Sequence, residues 1–126
     1  MTPEQHRSKA ERITRAMEKL HTADYEMLIE AAMLAGTHWF NLALHRFGLT
    51  RPEDDVMHAE YLTGAARLKL FLVAPGVAEA LDEIEHSRPH FVRGDVPGGE
   101  AAAIRCLEQL RRLHAAAEEA RPLRPE

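Results

Sequence analysis

Residues 24–49 read DYEMLIEAAMLAGTHWFNLALHRFGL and lead, through a short polar turn, into DVMHAEYL at 55–62. At 100° per residue, Tyr25, Ile29, Ala32, Met33, Gly36, Phe40, Ala43 and Phe47 fall on one helical stripe, and Leu28, Ala35, Trp39 and Leu42 on a second beside it. Together they cover roughly 200° of the circumference, about twice what a one-sided surface helix needs. Such a helix is either central in a bundle or buried in a subunit interface. Glu30, Thr37, His38, Asn41 and His45 occupy the remaining arc. Two histidines and a glutamate there invite a metal reading, but an arc opposite the apolar face reads first as solvated surface.

The flanking sequence supplies the partners of this helix. Thr2 is a good N-cap with Pro3 behind it, so a helix begins there and carries Ala10, Ile13, Met17 and Leu20 on its inner face. Thr22 or Asp24 caps the central helix, and Gly48 ends it. Asp54 is placed to cap a third helix reaching about Val73. A fourth starts at Pro75-Gly76 and runs to SRPHFVRG, where Pro89 kinks or stops it. The last spans about residues 99–120, with Ala103, Cys106, Leu107, Leu110, Leu113 and Ala117 inward. No strand pattern or repeat is visible. The pattern predicts an all-α chain: one up-down antiparallel bundle over residues 1–120, with four core helices plus the N-terminal one, and a frayed tail at 121–126.

Composition narrows the function classes. A chain of 126 residues is one domain, and a single cysteine, Cys106, forms no internal disulfide. On the inward stripe of its helix Cys106 reads as a buried, inert thiol. The formal net charge of −4 argues against broad nonspecific nucleic-acid binding. The start MTPEQHRSK lacks an apolar signal segment, and no apolar run reaches the ~18 residues of a membrane span. The chain therefore reads as cytoplasmic, with no membrane partner.

Three features point to chemistry. Arg88 projects into the apolar stripe of the fourth helix (Val77, Ala80, Leu81, Ile84, Phe91), and a guanidinium there needs a carboxylate or a bound anion. Glu26 is the first candidate partner and Glu30 the second. The pairs Glu18/His21 and Glu83/His86 have the Glu-x-x-His spacing of di-iron bundles, but both glutamates point away from the apolar stripes. His86 and His90 are four residues apart, a weak zinc pattern that Pro89 interrupts. His114 lies on the inner stripe of the last helix, the position of a satisfied core histidine. No cofactor motif is present, and the expectation is no stoichiometric metal.

The layout resembles the HEPN superfamily of small helical bundles over about residues 24–117. The resemblance is carried by Asp24-Tyr25, the alanine-rich IEAAMLAGTHWFNLAL, the His-Arg-Phe-Gly-Leu end, His58, and ALDEIEHSRPHF with Arg88 before an aromatic. It implies an up-down bundle that commonly dimerises, in a family of toxin ribonucleases, nucleotidyltransferase partners and non-catalytic binding modules. The ribonuclease members carry a histidine four to six residues after the arginine. Here Arg88 is followed by Pro89, His90 and Arg93, with no further histidine until His114.

The leading expectation is therefore a non-enzymatic, HEPN-like, homodimeric binding module, partnering a protein of the nucleotidyltransferase or toxin–antitoxin kind, or RNA. Its dimer interface would be the second stripe, Leu28, Ala35, Trp39 and Leu42. Arg88 with Glu26 or Glu30 forms its anion site or structural ion pair. The alternative is a metal-independent endoribonuclease using Arg88 and His90, or Arg51 and His58. A metal-binding bundle, with His86 and His90 as ligands, comes third.

Overall fold

A computed structural model describes residues 1–123, and among these the chain is all-helical. Five α-helices are present: α1 (Pro3–Met17), α2 (Tyr25–Phe47), α3 (Gly64–Val73), α4 (Val77–Ser87) and α5 (Gly99–Glu119). A 3-10 turn, Ala59–Tyr61, precedes α3, and a π turn, Arg88–Arg93, follows α4 where Pro89 removes a backbone donor.

Local chemistry explains most boundaries. The Thr2 hydroxyl accepts from the Gln5 amide at 3.2 Å while the Gln5 side chain accepts from the Thr2 amide at 2.8 Å, a reciprocal cap on α1. Gly48 ends α2 at φ 78°, a conformation that a side chain would strain. The first turn of α5 passes so close to the Tyr25 ring that a Cβ on Gly99 would collide with it.

α2 is the central helix, and it is central within one chain. Leu28, Ala35, Trp39 and Leu42 are all buried, Ala35 and Leu42 completely. The interface expected on this stripe is therefore not open to a second copy. α5 supplies much of the cover: the His114 ring stacks on Trp39 with centroids 4.1 Å apart, and Leu113 lies against Gly36. His114 itself is 48% exposed, so it shields the core rather than joining it as the sequence suggested.

Pairwise contacts give the helix directions. The start of α1 meets the ends of α2 and α5 (His6 with His38 and His45, Arg7 with Glu118). Arg88, just past the end of α4, meets Glu30 near the start of α2, while Gly99 meets Tyr25 and Arg46 meets Ala117. α1 and α4 thus run against α2, and α5 runs along it. The N-terminal helix is a full member of the packing; the marginal one is α3, of which only Leu70 is buried.

Two expected boundaries are corrected. Asp54 does not start a helix: residues 51–58 form an irregular loop, and α3 begins ten residues later behind Thr63, whose hydroxyl accepts from the Ala66 amide. The chain also stays on the fold beyond residue 120, because the Leu123 amide donates to the Phe47 carbonyl. The rest of the expected tail, 124–126, lies outside the described residues. No helix among those described is long and apolar enough to cross a membrane.

Candidate functional site

Most of the polar arc of α2, expected to face solvent, is covered; Glu30 at its start keeps a third of its side chain exposed. Asn41 is fully buried, Thr37 nearly so, and the His45 side chain is 1% exposed. Two segments close over it: the start of α1 and the loop at 51–58. A polar stripe is buried at low cost only when its groups find partners, and here they do. Thr37 donates to the Met33 carbonyl, and Asn41 donates to both Thr37 O and Val56 O at 2.9 and 2.8 Å. Asn41 Oδ1 also accepts from the Val56 amide at 2.6 Å. One side-chain amide thus stands in for a strand partner and holds the loop on the helix.

That clamp sets Asp55 between two histidines. Asp55 Oδ1 lies 2.8 Å from His6 Nε2 and 2.9 Å from His45 Nε2. The remaining ring nitrogens are engaged too: His6 Nδ1 is 2.9 Å from His38 Nδ1, and His45 Nδ1 is 2.7 Å from Thr50 Oγ1. One proton arrangement satisfies all four contacts with neutral rings. His6 and His45 donate from Nε2 to the carboxylate, His38 donates to His6, and Thr50 donates to His45. Asp55 Oδ2 faces the chain's amino group at 3.3 Å.

Electrostatics favour the neutral forms of His6 and His38. Burial lowers the His6 pKa, outweighing its hydrogen bond to Asp55. Burial, then the neighbouring His6, push His38 down to about 4. Burial opposes ionisation of Asp55, but the bonds from His6 and His45 prevail and hold its carboxyl below the usual range. The histidine shifts have a consequence for stability. The unfolded chain binds more protons than the folded one between about pH 6.5 and pH 4, so stability should be lost as the pH is lowered through that window. Urea midpoints at pH 7 and pH 4.5 should differ more for the wild type than for His38→Gln; equal differences would show that His38 does not drive the loss.

Beside this knot opens a cleft of about 270 Å³, with Met33, Leu34 and Met57 as apolar wall and His6, His38, Asp55, Glu30, His58 and Arg88 among its polar groups. A second, shallower cleft shares His58 and Arg88 and adds Glu85, His86 and Arg93. Arg88 and His58 therefore lie where the two hollows meet. Arg88 donates from Nε to Glu30 Oε1 at 2.7 Å and from a terminal nitrogen to Oε2 at 3.3 Å. Glu26, the first partner expected, takes no part; Glu30, one turn farther along α2, is the one level with Arg88. Both partners keep about a third of their side-chain surface exposed, 31% and 33%. Arg88→Ala should therefore cost about 1 kcal/mol or less in chemical denaturation, as for other solvated pairs.

No family model, no curated protein and no solved structure matches the chain.

Of the other residues singled out from sequence, His58 and His86 share the second cleft and the rest are scattered. Arg51 pairs with Asp54 on the surface. His90 packs edge-on against Phe91, while His86 bonds the Asp82 carbonyl. His58 is 3.7 Å from Glu85, whose pKa burial raises. Glu83 is bonded by Gln109, on α5, and Glu18 merely ends α1. Cys106 is buried, and burial pushes its thiol up, away from nucleophilic character. Sequence reasoning missed His6 and Asp55 altogether. A signal for His6 existed: it stands four residues before Ala10, on the inward stripe of α1. An inward histidine opposite an arc holding two more was the trace of the knot.

Proposed function

We propose that the protein is a non-enzymatic helical-bundle binding module, HEPN-like in its up-down layout, whose site is the cleft beside the histidine–aspartate knot. Its ligand is a small molecule with an apolar body and an anionic head. The observation that carries this reading is the lining of the cleft: an apolar wall of Met33, Leu34 and Met57 faces polar groups that converge from four parts of the chain. Arg88 has guanidinium donors beyond the two used on Glu30, and His58 and His38 line the same cleft. The volume suits a ligand at the small end of the range. Benzoate and hexanoate are suitable probes. Titrating either into methyl-labelled protein should move the Met33, Leu34 and Met57 resonances, and Arg88→Leu should abolish the shifts. No shift in the wild type with either probe would overturn the proposal.

A second reading, the metal-independent endoribonuclease, gains support from Arg88 and His58 lining the same two clefts. There His58 would serve as acid or base on a ribose hydroxyl while Arg88 holds the phosphate. RNA cleavage lost in both Arg88→Ala and His58→Ala would favour it over the binding module.

The homodimer belongs to the proposal on a different surface from the α2 stripe. Leu68, Phe71 and Leu72 share a face of α3 and are 58–69% exposed, an apolar patch of the kind that a second copy covers. Light scattering should give the mass of two chains, reduced to one by Phe71→Glu. A wild-type mass of one chain would refute the dimer. A nucleotidyltransferase-type or toxin–antitoxin partner rests on the HEPN resemblance alone.

A further inference from the structure

We propose that His6, His45 and Asp55 form a binding site for one divalent transition-metal ion of the zinc class, its open coordination facing the adjacent cleft. His6 Nε2, His45 Nε2 and a carboxylate oxygen of Asp55 all lie within 4.8 Å of one another. The two nitrogens stand 2.8 and 2.9 Å from the same Asp55 oxygen. Ligand atoms each about 2 Å from a shared ion are about 3 Å apart, so small side-chain movements admit a metal among the three. Two imidazoles and one carboxylate are a donor set for zinc or its first-row neighbours rather than for calcium or magnesium.

The outer contacts are what distinguish this group from two histidines that merely bond an aspartate. A metal-bound imidazole usually donates its second N–H to a fixed acceptor, which sets the tautomer. Both rings here point Nε2 at the centre and Nδ1 at a partner: His38 Nδ1 for His6, Thr50 Oγ1 for His45. Metal binding would move each ring proton from Nε2 to Nδ1. His38 would then accept instead of donate, and so would Thr50, with both outer contacts retained. The same frame therefore serves metal-free and metal-bound forms. Asp55 is 24% exposed, and both it and His6 line the cleft, which leaves room for water or a ligand group on the ion. The site owes nothing to the anionic-ligand reading of the cleft and stands or falls separately.

Zinc and cobalt(II) are the probes. The wild type should take up one equivalent of zinc in a saturable titration and rise in melting temperature with added metal. His45→Ala and Asp55→Asn should lose the uptake, whereas the double variant His86→Ala, His90→Ala should keep it. Cobalt(II) should give visible absorption that zinc displaces. Because a knot variant can lose its fold, the wild type provides an independent measurement. Long-range proton–nitrogen spectra should show His6 and His45 passing to the Nδ1–H form as zinc is added. Absence of saturable uptake, uptake undiminished in both knot variants, or unchanged tautomers in the presence of zinc would each overturn the proposal.

Discussion

Asn41→Leu should destabilise the protein by about 3 kcal/mol or more, because each buried backbone group left without a partner costs about 1–3 kcal/mol and this change strands two. Those groups are the amide and carbonyl of Val56, bonded by the Asn41 side chain at 2.6 and 2.8 Å, with Asn41 fully buried and Val56 nearly so. Leucine is close in size, so the loss reports on hydrogen bonding rather than on a cavity. Urea denaturation measures the stability. Amide exchange identifies the cause: Val56 should lose protection ahead of the α2 core, since its amide is bonded by the Asn41 side chain. The same loop carries Asp55, so the variant should also loosen the histidine knot. A loss below about 1 kcal/mol would show that the loop supplies its own support.

Trp39→Ala should cost about 3–5 kcal/mol, the usual range for deleting a large buried aromatic. Trp39 is 1% exposed, and His114 stacks on it in near-parallel contact, with 15° between the rings. Losses of this size are a large share of the 5–15 kcal/mol that typically separates folded from unfolded states. The companion variant Trp39→Glu separates two views of the residue. If the second stripe of α2 were a subunit interface, Trp39→Glu would yield folded monomers; buried inside one chain, it should instead abolish folding, with loss of helical circular dichroism. A well-folded Trp39→Glu protein would contradict the packing of α2 against α5.

The helical class was legible in the sequence because it rests on local physics. Thr2 with Gln5 caps α1, Gly48 supplies the left-handed end of α2, and Pro89 interrupts the helical ladder; each acts through neighbours a few residues away. The apolar width of α2 was equally legible, since the period of a helix places side chains without reference to the rest of the chain. What covers each side of that helix was not. Periodicity says that Trp39 and Leu42 must be buried, and is silent on whether α5 or a second copy buries them.

The polar arc shows the same divide more sharply. Thr37, His38, Asn41 and His45 have the spacing of a solvated face, and by hydropathy alone that is the economical reading. Tertiary structure reverses it by bringing His6 from 32 residues before His38, and Asp55 from 10 residues after His45, to satisfy the buried groups. Burial of a polar side chain depends on whether a partner arrives from elsewhere, and no local pattern encodes that arrival. The sequence by itself therefore determined the helical class, the cap at Thr2, the end at Gly48 and the breadth of the apolar surface of α2. The knot, the cleft beside it and the Arg88–Glu30 pairing were decided only in three dimensions, because they consist of contacts between side chains that the chain's path, and not its periodicity, brings together.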